Sequence, residues 1–306
     1  MRYNFASFTR YNRNENKRKK GIHNLNLIKM KTKKLISVSI IVCLATIMFS
    51  GCKKDTTPTP TPTSPSTQAS KVAMENASAE GAFTDAFRQV DQAVKQQGLK
   101  SIQTCCTVSF TPNDLSTYPK DVVIDYGTSC TGDDGVVRSG QILAHLTKAY
   151  PDSGSVTTIT FNNYYVNSRH ITGTERITNV GRNSLGHHVF DVEVQNGNLY
   201  SPDGITVYNS VQQREWIEGE STLLDPMDDV YMITGTASGT TTNGVNYTLV
   251  ISTALRVAVG CAWIESGIVN ITEPNIPVIS LNYGDGTCDN NAVATCSGYT
   301  FNIVMP

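Results

Sequence analysis

The side chains with the most chemistry to offer are eight cysteines. Six of them, Cys105, Cys106, Cys130, Cys261, Cys288 and Cys296, lie in the second two-thirds of the chain. Thiols either hold a soft metal or oxidise to disulfides. A structural zinc site needs paired cysteines at short spacing or cysteines beside histidines, and neither pattern occurs. Two stretches echo one another: VVIDYGTSC at 122–130 and ISLNYGDGTC at 279–288, each an apolar run ending in Tyr-Gly before a cysteine. Each has another cysteine upstream, so parallel geometry in the two units predicts disulfides Cys106–Cys130 and Cys261–Cys288. Adjacent Cys105 and Cys106 point to opposite faces of an extended chain, and Cys105 can replace Cys106 in the first pair. Cys296 is left over.

Carboxylates gather in turns: Asp133-Asp134-Gly135, Asp225 with Asp228-Asp229, and Asp285-Gly286 with Asp289. Calcium takes six to eight such oxygens, which makes Asp285 and Asp289 weak ligand candidates, but none of these turns has the spacing of a twelve-residue calcium loop. His145 and His170 stand alone and His187-His188 form a pair, with no HExxH and no GxSxG. A non-catalytic protein without cofactor is the expectation. Trp216 and Trp263 are the aromatic platforms on which a sugar would stack, and core packing is their other use.

Export must bring the cysteines to an oxidising compartment. Lys31, Lys33 and Lys34 precede an apolar run from Leu35 to Phe49, closed by Ser50-Gly51-Cys52. Fifteen residues at about 1.5 Å each fall short of a bilayer core of about 30 Å, which argues against a permanent span. The segment resembles the bacterial lipoprotein signal, with Phe49 where that family most often has Leu. The resemblance implies cleavage before Cys52, acylation of its thiol, and attachment to a membrane through the N-terminal lipid. Lys53-Lys54 follow the cysteine; that family's inner-membrane retention mark is an Asp directly after it, so the outer membrane is implied. Residues 30–51 are then the signal. Residues 1–29 are a dispensable basic extension, consistent with a start at Met30 rather than Met1.

Residues 52–68 carry the lipidated cysteine and a tether. Pro58, Pro60, Pro62 and Pro65 alternate with hydroxyl residues and favour an extended spacer. Asp55-Thr56-Thr57 resembles the acceptor of Bacteroidetes-type protein O-glycosylation, which marks Thr56 as a weak glycosylation site. Over the exported portion the chain resembles the uncharacterised β-rich lipoproteins of such bacteria.

From 69 to 98 the spacing of Phe83, Phe87, Val90 and Val94 predicts a helix, with Gly81 as a point where it can break and Gly98 as its stop. From 104 to 306 the period is two. Tyr247, Leu249, Ile251, Leu255, Val257 and Val259 share one face of a strand, and Asn196-Gly197, Asp203-Gly204, Asn243-Gly244 and Asp285-Gly286 read as turns. Glycines inside strands, in Arg138-Ser139-Gly140, Ile171-Thr172-Gly173, Ile233-Thr234-Gly235 and Glu265-Ser266-Gly267, mark bends. About twelve strands without βαβ alternation predict a mainly β fold. It is an antiparallel meander forming a curved sheet, open barrel or sandwich, with one helix packed on it and an internal repeat at 122–140 and 279–298.

Eleven of the 25 Lys and Arg, and only Glu15 of the 26 acids, precede Cys52, so the exported chain holds 14 bases against 25 acids, a net charge of −11. That excludes nucleic acid as a partner. The expected function is a lipid-anchored, non-catalytic cell-envelope binding or interaction module whose partner is an envelope protein, a glycan or an apolar ligand. The alternatives are a carrier holding a lipid or other apolar ligand in a curved half-barrel, and a glycan-binding surface lipoprotein.

Overall fold

A computed structural model describes residues 65–95, 97, 105–222 and 225–305. Cys52, Thr56, the signal segment and most of the tether lie outside the described residues, as does Gly98. The helix α1 spans Pro65–Lys95. It begins earlier than the apolar stripe indicates, because a proline is tolerated in a first turn whose N–H groups have no helical acceptor. It also runs unbroken through Gly81, whose cost of about 1 kcal/mol is small beside the burial on either side.

Fourteen strands follow: β1 (Thr107–Thr111), β2 (Lys120–Asp125), β3 (Cys130–Thr131), β4 (Val137–Leu146), β5 (Val156–Val166), β6 (Arg169–Arg182) and β7 (His188–Ser201). Then come β8 (Gly204–Glu218), β9 (Val230–Thr240), β10 (Asn246–Ala258), β11 (Ser266–Thr272), β12 (Ile279–Asp285), β13 (Asn291–Cys296) and β14 (Tyr299–Val304). Each pairs antiparallel with its sequence neighbour, except that β2 pairs with β4 and the two-residue β3 joins β4 at the side. The sheet is a single open meander. Its alternating residues behave as the period-two pattern predicts: Tyr247, Leu249, Ile251, Leu255, Val257 and Val259 are all buried.

The sheet curls around α1, which touches β2, β4, β5 and β8 as well as β12, β13 and β14. Glycines produce part of that curvature. Register slips at Gly140, Gly173 and Gly267, and a Cβ on Gly140 would lie 1.9 Å from the Asn163 carbonyl oxygen. Asn196-Gly197 is a bulge within β7 rather than a turn, because the ring of Phe83 on α1 packs onto Gly197, 2.8 Å from where a Cβ would sit.

The disulfides are Cys105–Cys130 and Cys261–Cys288. The second is the expected pair. The first corrects the Cys106–Cys130 expectation: Cys106 turns with Val108 and Phe110 toward the core, leaving Cys105 on the face that reaches Cys130. Cys296 is a buried thiol whose sulfur lies 3.4 Å from the Pro277 carbonyl oxygen.

Candidate functional site

From Asn76 to Asp91 every residue of α1 except Gly81 and Thr84 is buried, so its polar residues are enclosed along with its apolar stripe. The sheet supplies their partners. Asp85 accepts from Arg138 through Nε at 2.9 Å and Nη2 at 2.5 Å, and from Arg88 at 2.6 Å, while both arginines also reach Asp134. Burial alone would raise the Asp85 carboxyl, but the charges and hydrogen bonds of Arg138 and Arg88 outweigh it and hold the group well below the usual carboxylate range. Arg88 also donates to the Cys261 carbonyl, so this cluster ties both disulfide-clamped segments to the helix.

Two further clusters carry more acid than base. Glu80 accepts from Tyr208 and Gln212, and shares Arg214 with Glu175, whose nearest oxygen is 3.7 Å from that guanidinium. Burial, with the Glu80 charge adding to it, pushes Glu175 up to about 7 against the pull of Arg214. Arg214 stacks 3.8 Å over the Phe87 ring. Lys95 is shared by Asp91 at 3.2 Å and Asp229, which also accepts from Trp216 Nε1 at 3.1 Å. Burial raises both acids against the pull of Lys95, and the Asp91 charge adds to it at Asp229, which rises to about 7. Perturbed carboxylates of this kind often mark catalysis. Here Asp229 is fully buried and Glu175 is 1% exposed, and neither lines any of the cavities described below. Asp229 ties the helix to the sheet through Lys95, and Glu175 meets Arg214, which stacks on the helix residue Phe87.

The space beneath α1 is small: about 40 Å³, lined by Ala77, Ala82, Ile171, Leu199, Trp263 and Met305. A cleft of about 300 Å³ opens between the Cys105–Cys130 disulfide, Arg88 and Gly260. A larger one, about 830 Å³, opens where α1 begins. The first turns of α1 form one wall, and the β5–β6, β7–β8 and β9–β10 turns form the rim, with Leu199 and Phe301 as apolar surface. Glu75 anchors it, accepting from the Thr242 N–H at 2.9 Å, the Thr242 hydroxyl at 2.6 Å and the Thr206 hydroxyl at 3.3 Å.

On the outer face Tyr165, His170 and Tyr200 lie in register across β5, β6 and β7. Their rings follow one another with centroids 4.7 and 5.2 Å apart. His170, alone in the sequence, is the middle of this ladder, and the tight turn at Asn167-Ser168 is the signal that pairs it with Tyr165.

The other sequence candidates are dispersed. Asp285 accepts from the Thr287 N–H and hydroxyl, and Asp289 from the Asn291 N–H, so each closes its own turn. Among the described residues the one group of three or more potential metal ligands within reach of each other is Cys261, Glu265 and Cys288, and its sulfurs are joined to one another. Asp225 caps the 3-10 turn Pro226–Asp228. His145 meets Asp121, His187 meets Glu215 and His188 meets Glu220. Trp216 is fully buried against Tyr231, and Trp263 is partly buried against the core. Neither tryptophan is the exposed platform a sugar would need.

Compared with known proteins, the chain matches no family model, no curated protein and no solved structure.

Proposed function

We propose that this chain is a lipid-anchored, non-catalytic binding module of the bacterial cell envelope, acylated at Cys52 and held at the outer membrane, and that it takes its ligand in the cleft where α1 begins. The observation that carries this reading is the contrast in volume. The apolar space between α1 and the core at Ala77, Ala82 and Ile171 holds only about 40 Å³, whereas about 830 Å³ stands open where α1 begins. Ligand sites typically run from about 300 to 1,000 Å³, so the open cleft qualifies and the interior does not. The filled interior therefore weighs against the carrier alternative. Two disulfides agree with export, and the anchor itself rests on the resemblance of the segment before Cys52 to a lipoprotein signal.

Two experiments test this. Cys52→Ala should abolish incorporation of labelled palmitate, and label retained by that variant would refute the anchor. A photocrosslinking residue at Pro202, on the cleft rim, should capture an envelope molecule in intact cells, while one at the exposed Val211 should not; capture at Val211 alone would move the site. A second reading, glycan binding on the outer face, is favoured by the Tyr165–His170–Tyr200 ladder, since aromatic faces stack on sugar rings. Tyr200→Ala should then weaken polysaccharide binding, and unchanged binding would dismiss it.

A further inference from the structure

Arg169 is the first residue of β6 and follows a turn in which Asn167 and Ser168 both have positive φ, 45° and 67°. That turn is fixed to β4: the Asn167 N–H donates to the Val137 carbonyl at 2.8 Å, and the Asn167 side-chain oxygen accepts from the Val137 N–H at 3.1 Å. The Arg169 position is therefore rigid. Its side chain lines both the cleft and the small apolar space below it. Arg88, Arg138, Arg214 and Arg256 each meet a carboxylate, but among the described residues no carboxylate lies within ion-pair distance of Arg169. Partial burial lowers its pKa with no acid to oppose it. A half-buried guanidinium with its fork of donors unmatched is a site waiting for an anion.

The charges around it select which anion. Glu75 is occupied by Thr206 and Thr242 and lies 3.7 Å from Lys71, so those two side chains cancel. Asp203 stands exposed on the rim. Lys71 and Arg169 against Glu75 and Asp203 leave the cleft lining without net charge, so its one guanidinium outside any ion pair suits a monoanion better than a phosphate dianion. Phe301 and Leu199 offer apolar surface to a ring, and the cleft is otherwise rich in hydroxyls such as Ser70 and Ser168. The positive end of the α1 dipole adds to the attraction. We infer that the cleft recognises the carboxylate of an acidic sugar, with Arg169 as the bidentate contact. This rests on the cleft being the binding site.

The full chain should be titrated calorimetrically with a panel of uronic- and sialic-acid oligosaccharides, with their methyl esters and with inorganic phosphate. At least one acid should bind, its ester roughly tenfold or more weaker, the worth of one charge-assisted bond. Arg169→Leu should lose the same factor with an unchanged melting temperature, and Arg169→Lys should fall between. Equal binding of acid and ester, full affinity in Arg169→Leu, competition by phosphate as strong as by the acid, or no binding by any member would each overturn the inference. Crosslinking at Pro202 keeps the two readings apart: capture there with no preference for acids refutes only the carboxylate, whereas its absence refutes the cleft.

Discussion

Arg138 and Arg169 occupy one cross-strand row, each opposite Val166, so both belong to the inner face of the same sheet two strands apart. Arg138 is 2% exposed and clasped by Asp85 and Asp134. Arg169 is half-buried and, among the described residues, has no acid within ion-pair distance. The difference lies in where the helix acids are engaged: Asp85, which lines the small space with Arg169, is taken by Arg138 and Arg88, and Glu75 in the cleft is taken by Thr206 and Thr242. The same side chain thus becomes a clasp in one place and an open receptor in the other. What separates structure from function here is whether a residue's partner is supplied by the chain itself.

Breaking the clasp should have the largest effect. Asp85→Ala leaves Arg88 and Arg138 buried with Asp134 as their remaining acid, and removing one side of a buried ion pair costs about 3–5 kcal/mol. Urea unfolding should show that loss; a loss below about 1 kcal/mol would mean water enters the cluster and that it is no different from the cleft. Next come the disulfides. Cys105 and Cys130 are separated by 25 residues, for which loop entropy predicts about 3 kcal/mol. Cys105→Ser should lose that amount and Cys106→Ser much less, with peptide mapping of the oxidised protein as the direct check.

The interior should also declare itself through pH. Glu175 titrates near 7 in the folded chain against an ordinary value of 4.5, and Asp229 near 7 against 3.8. Between those values the native state keeps a proton the unfolded chain has released. The stabilisation is therefore complete below the lower value and lost as pH rises through the higher one, by on the order of 3 kcal/mol per group. Asp85 has the opposite sign: its pKa is lowered, so its contribution is present above 3.8 and lost as pH falls below that. Stability should accordingly peak on the mildly acidic side and decline toward neutrality. Glu175→Gln, neutral throughout, should flatten part of the decline; an unchanged pH profile would place the titration elsewhere.

Much of the fold was legible from residue periodicity. Alternation such as that from Tyr247 to Val259 is visible because one face of each strand meets water and the other the core, and Gly140, Gly173 and Gly267 mark the bends because no side chain fits there. The spacing of Phe83, Phe87, Val90 and Val94 revealed a helix but suggested one covered face. Its polar residues are covered too, because Arg138, Arg214 and Asp229 arrive from strands far along the chain, and no local pattern encodes that. Sequence symmetry favoured Cys106 as the partner of Cys130 where the structure has Cys105, since the choice depends on which face turns inward. Trp216 is closed to ligands by Asp229 and Tyr231, and Arg169 carries no motif at all, because what distinguishes it is the absence of a neighbour.

The smallest expected effect separates the two arginines most cleanly. Arg138→Leu should approach the cost of Asp85→Ala, because the buried Asp85 and the half-buried Asp134 would be left with Arg88 alone. Arg169→Leu deletes no ion pair and relieves a partly desolvated charge, so its stability should change by no more than about 0.5 kcal/mol in either direction. A gain would be the more informative result: residues kept at a cost to the fold are those whose return comes from a ligand. If Arg169→Leu instead loses several kcal/mol, the chain supplies that guanidinium with a partner after all, and the two arginines differ in degree rather than in kind.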